Sequence, residues 1–236
     1  MTASIASPEA RRGRRTWLIP GSLVLLSLVP VVAGASRVVS LAGGVATTPD
    51  DARFTEMPAP VLVHIVSATV YCLLGAFQFH PGLRGRHPAW HRVAGRVLVP
   101  MGLVAALSGL WMTTFSALPA HDGGLLPPAR WVFGLGMVAA LVLGFAAALR
   151  RRFDVHRAWM IRAYAIGLGA GSQVFTMLAW LAVGGDQETL KAVPMIAGWV
   201  LNLTVAEWII RRRRARAARP PHAPRLRGTA TRRMQA

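Results

Sequence analysis

Cysteine, lysine and acidic side chains are what this chain has least of. Cys72 is the only cysteine, which excludes an internal disulfide, a cysteine-ligated zinc site and an iron–sulfur cluster held by one chain. Lysine occurs once, at Lys191, so the positive charge of the chain can be read from arginine alone. Nine Asp and Glu stand against 27 basic residues, leaving a formal net charge of +18. The paired-histidine metal motif and the serine nucleophile elbow are both missing, so a hydrolytic membrane enzyme is disfavoured and no catalytic or metal-binding residue is assigned. Charge is also absent from long stretches, and that absence is the most informative.

Apolar residues make up 53% of the chain and gather into six blocks: Trp17–Ala35, Pro60–Phe79, Val97–Leu118, Trp131–Leu149, Ala163–Val183 and Ala192–Ile210. Each is about 20 residues long, the length that crosses a hydrocarbon core of about 30 Å. The basic residues alternate between the connections. The N-terminal arm, the 80–96 and 150–162 connections and the C-terminal tail hold 23 of them, and the other side has only Arg37, Arg53, Arg130 and Lys191. Asp50, Asp51, Glu56, Asp122, Asp186 and Glu188 fall on that poorer side. Positive-inside counting therefore predicts an all-α, polytopic membrane helix bundle of six transmembrane spans with both termini cytoplasmic. The same distribution argues against a specific nucleic-acid partner, for which a basic patch on a folded face is expected.

Five segments follow: a basic disordered arm (1–16), a first span (17–35), an outer loop (36–59), a five-span membrane domain (60–210) and a basic disordered tail (211–236). The first span is read as a retained helix, although Arg11–Arg15 and the Ala33-Gly34-Ala35 triplet also resemble a secretory signal. The tail and inner loops point to the bilayer itself and its anionic headgroups as partners, alongside a further membrane-protein partner.

Few polar residues interrupt the spans, and they carry the functional expectations. His64, Ser67, Tyr71, Gly75 and Gln78 share one stripe of the second span, and Arg162, Gly169, Gln173 and Thr176 repeat the theme on the fifth. His64, Ser67, Tyr71, Gln78 and Gln173 are the candidates for a ligand or a polar path; interhelical hydrogen bonding is the plainer account. Arg162 and Glu207 lie at similar depth and are expected to pair. Small residues at Gly136, Ala140 and Gly144 predict close helix approach, and Pro100 a kink.

The inner loops echo each other. Arg84-Gly85-Arg86 precedes His91-Arg92, with Arg96 beyond; Arg150-Arg151-Arg152 precedes His156-Arg157, with Arg162 beyond. This predicts a duplicated hairpin. His91 and His156 occupy equivalent places, which makes them the pair for the alternative reading, b-type haem electron transfer.

Gln78-Phe79-His80-Pro81 with His91-Arg92-Val93-Ala94-Gly95-Arg96, and His156-Arg157-Ala158-Trp159-Met160-Ile161-Arg162, resemble a prokaryotic predicted-membrane-protein family, the domain of unknown function 2306. The resemblance covers roughly residues 60–210. It implies localisation in the prokaryotic cytoplasmic membrane, and it implies that His91, Arg96, His156 and Arg162 belong to shared motifs. It brings no activity, substrate or cofactor. The expectation is a non-enzymatic module that binds or passes a small ligand, or assists a membrane complex.

Overall fold

A computed structural model describes residues 8–43, 54, 56–117, 124–185 and 191–218. Eight helices carry these residues: α1 (Pro8–Ala42), α2 (Pro58–Phe77), α3 (Pro81–Arg86), α4 (Pro88–Phe115), α5 (Leu126–Leu149), α6 (Phe153–Gly167), α7 (Gly169–Ala182) and α8 (Ala192–Ala217). No strand occurs among the described residues. Proline sits in the first turn of α2, α3, α4 and α5. There its missing N–H costs nothing and its fixed φ starts the helix.

Five helices are long and apolar enough to cross a membrane, and the α6–α7 pair makes a sixth if its two halves are one span. At most a third of any of the five apolar windows is buried inside the bundle. Leu18, Leu25 and Val32 on α1, and Val132, Leu135 and Val142 on α5, are exposed. A soluble monomer does not tolerate so much contiguous apolar surface, whereas a lipid-facing helix requires it.

Several boundaries depart from the sequence reading. The helix α1 begins inside the arm expected to be disordered and runs past Ala35 through Arg37 to Ala42, so the outer loop cannot start at residue 36. The helix α4 starts at Pro88, nine residues before the expected span, because nothing after Pro88 interrupts it; Pro100 lies inside it without a break. Helix α8 continues through Arg211–Arg214 to Ala217, into the expected tail. A membrane helix has no need to stop where its hydrophobicity does, since charged turns can continue into the headgroup layer. His121, Thr47–Asp51 and the tail beyond residue 218 lie outside the described residues.

The fifth span differs most. It is broken at Leu168, where α6 and α7 meet at 50°. Its place in the bundle explains why this is tolerated. Span five contacts α2, α5, α8 and α1, so its broken backbone is enclosed by protein. Of the carbonyls at the end of α6, that of Tyr164 accepts from Leu168 N–H at 2.9 Å, that of Ala165 from Asn202 Nδ2 at 3.0 Å, and that of Gly167 from the Cys72 thiol at 3.5 Å. The first is the last ordinary helical bond, whereas an unbroken helix would have satisfied the other two carbonyls itself.

The core centres on this span. Tyr71, Cys72, Met137, Leu141, Tyr164 and Ile166 are buried together. Glycines let the rings in: a Cβ on Gly75 would lie 2.6 Å from the Tyr164 ring, and one on Gly102 2.7 Å from Tyr71. Tyr164 then donates its hydroxyl to the Cys72 carbonyl at 2.6 Å.

Candidate functional site

The two halves of the membrane domain, α2–α4 and α5–α6, each form a tight hairpin, and His91 and His156 are each the fourth residue of their second helix. The turns differ. The first contains the short helix α3, whose N-terminus is capped by His80 Nδ1 accepting from Leu83 N–H at 3.0 Å. The second closes with Arg151 in the left-handed region (φ 57°), Arg152 N–H bonding to Ala147 O and Arg151 N–H to Ala148 O. That is a Schellman ending with arginine where glycine is usual.

The histidines also differ in their partners. His156 Nδ1 donates to the Gly144 carbonyl at 2.9 Å, which the close approach of α5 to α6 at Gly144 permits. His91 Nδ1 is buried with no partner among the described residues, as are both amide atoms of Gln78. The guanidiniums of Arg84 and Arg92 and the ring of His156 are neighbours of His91. At Arg84, partial burial and then the guanidiniums of Arg157 and Arg213 push the pKa below its ordinary value. Arg157 has an exposed acidic neighbour, Asp154 at 3.6 Å. Arg96 is exposed, with no hydrogen-bond or ion-pair partner among the described residues.

Arg162 and Glu207 are paired. The guanidinium takes both carboxylate oxygens, Nε to Oε1 and Nη2 to Oε2 at 3.1 Å, and its carbon sits 4.7 Å from the Trp159 ring centre. This ties α6 to α8 at a half-buried level. Asn202, on the same helix, also reaches the fifth span but further from the arginines; it accepts from Ser172 Oγ at 2.7 Å as well as donating to Ala165. Asn202 is not among the sequence-predicted site residues. Its one legible signal was an amide in an otherwise apolar run.

The other half of the bundle holds a half-open cavity of about 470 Å³. All the long helices contribute to its wall, and so do both ends of the break: Ile166, Gly167 and Ala170. Three of the five polar-path candidates meet here, His64 and Tyr71 from α2 and Gln173 from α7. Ser67 is buried nearby but spends its hydroxyl on the Val63 and His64 carbonyls of its own helix. Gln78 is at the far end of α2, so the stripe does not form one continuous path. Thr69, Thr113, Ser116 and Arg130 add to the polar lining. A groove beside Glu207 and Trp208 is lined by α8 alone and has no opposing wall. Neither space includes His91 or His156 in its lining.

Long apolar helices, outward-facing aliphatic side chains and a span broken only where protein surrounds it define a polytopic, all-helical membrane protein. The family model described as Predicted membrane protein (DUF2306) matches residues 61–210, and the chain belongs to that family. No curated protein matches the chain, and no solved structure does.

Proposed function

We propose that this protein is a non-enzymatic membrane module whose outer-half cavity binds or passes a small ligand. One observation carries the reading: His64, Tyr71 and Gln173, far apart in sequence, converge on a half-open space at the break of the fifth span. Broken membrane helices are a recurring way to build a binding site at mid-depth. A volume of about 470 Å³ falls within the range of about 300–1,000 Å³ typical of small-molecule sites.

The arginine distribution supports six spans with both termini cytoplasmic, and the family resemblance supports the inner membrane of a prokaryote. Arg84, Arg157 and Arg213 then stand at the inner boundary, where anionic headgroups relieve their mutual repulsion at about 1 kcal/mol per basic residue. Assistance to a larger membrane complex is a second use of the same scaffold.

The test is thermal unfolding of the purified protein against a panel of small apolar molecules. A ligand at about 100 times its Kd stabilises by about 2.7 kcal/mol, a shift of several degrees. Ala68→Phe, which puts a ring into the cavity, is expected to abolish the response. A wild type that responds to no compound, or a variant that responds equally, refutes the assignment of the cavity.

A further inference from the structure

The hydrogen bonds around the cavity constrain what it accepts. His64 Nδ1 lies 2.9 Å from the Ala105 carbonyl, which can only accept, so Nδ1 carries the proton. Ser108 Oγ, 3.2 Å from the same nitrogen, already donates to Val104 O at 2.6 Å and is a second acceptor. In the neutral ring this leaves Nε2 as a bare acceptor. No described residue donates to it, and the ring lines the cavity. Gln173 repeats the pattern. Its Nε2 donates to Met195 O at 3.0 Å, and its Oε1 has no partner among the described residues. The Tyr71 hydroxyl, on the same lining, makes no hydrogen bond among them either.

The hydroxyls of Tyr71, Thr69 and Ser116 on the same lining can donate or accept, but at His64 Nε2 and Gln173 Oε1 a carboxylate or phosphate would meet opposing lone pairs. Those two acceptors suit a neutral molecule with a hydrogen to donate. The apolar wall narrows the class further. Phe133 and Trp199 stack with centroids 4.7 Å apart and an interplanar angle of 25°, and Met137 and Met195 stand on the same lining. Aromatic faces and thioethers favour an aromatic ring. Arg130 also lines the cavity but has an interaction of its own, so the class does not rest on it.

We infer that the ligand is a small neutral aromatic alcohol, of the phenol or hydroquinone class, whose O–H donates to His64 Nε2. This rests on the cavity being the binding site. The experiment separates the two. The full chain is placed in nanodiscs, with empty nanodiscs as the reference for partitioning. Binding of 4-fluorophenol and 4-fluoroanisole, nearly equal in size but only one a donor, is read by fluorine NMR. The expected result is about tenfold tighter binding of the phenol, the worth of one well-made hydrogen bond. That preference is expected to disappear in His64→Leu and to survive in Tyr71→Phe. Equal binding of the two probes overturns this inference and leaves the cavity assignment standing. Binding of neither overturns both. A preference that persists in His64→Leu removes His64 as the acceptor and overturns the inference too. Should His64→Leu not fold, the wild-type ratio decides: a ratio below about two overturns the proposal.

Discussion

Replacing Asn202 by leucine tests how the broken span is held. The amide donates to Ala165 O at 3.0 Å and accepts from Ser172 Oγ at 2.7 Å, so one side chain on α8 bridges both halves of the break. Leucine is close to asparagine in size and removes both bonds without leaving much of a void. Interhelical hydrogen bonds in membrane proteins average about 0.6 kcal/mol and reach about 1.7. Two average bonds give roughly 1.2 kcal/mol, and an unpaired carbonyl at the end of α6 raises this toward 2. The expected loss is therefore about 1–2 kcal/mol, measured as reversible unfolding of the purified protein in mixed micelles. A double-mutant cycle with Ser172→Ala should return a coupling of about 0.6 kcal/mol. Thr204→Val is the control, because the Thr204 hydroxyl bonds only to Val200 O of its own helix and is exposed. A loss below about 0.3 kcal/mol, with no coupling to Ser172, would refute the role given to Asn202.

Glu207→Gln should destabilise by about 1–2 kcal/mol, between the values for exposed and buried ion pairs, because Arg162 keeps 22% and Glu207 34% side-chain exposure. Equal stability of variant and wild type in the same unfolding assay would show the pair to be dispensable. Arg151→Gly should stabilise by about 0.5 kcal/mol, relieving a left-handed arginine at a small cost in chain entropy; a lower melting temperature would contradict this. Protein expressed with ample haem is expected to show no haem band in a reduced-minus-oxidised spectrum. A stoichiometric band lost in His91→Ala or His156→Ala would instead make this a redox protein.

The membrane architecture was legible in the residues because the bilayer imposes it locally. Any uncharged run of sufficient length must satisfy its own backbone, and arginine counts do not depend on packing. The Arg162–Glu207 pair was legible for a related reason: two opposite charges at one depth have few other ways to be neutralised. The two histidines at the fourth position of α4 and α6 were visible as an echo in the loops. The break at Leu168 was not. Gly169 read as one member of a polar stripe, and a glycine breaks a membrane helix only where neighbours can take over its freed carbonyls. Asn202 and Cys72 do that here, from positions 34 and 96 residues away from Leu168 in the chain.

The stripe on the second span shows the division most plainly. Helical periodicity placed His64, Ser67, Tyr71 and Gln78 on one face, and on that face they lie. Periodicity is a property of one helix, however, and a site is a property of what stands opposite. Ser67 found carbonyls on its own helix, and Gln78 found no partner among the described residues. His64 was turned by the Ala105 carbonyl so that its second nitrogen is left to the cavity, where Tyr71 and Gln173 join it. The sequence by itself determined that this is a helical membrane protein, which stretches can cross the bilayer and which faces turn inward, because hydrophobicity and charge act residue by residue. Tertiary structure alone decided which inward residues share a space, because that depends on the register between helices that no single helix encodes.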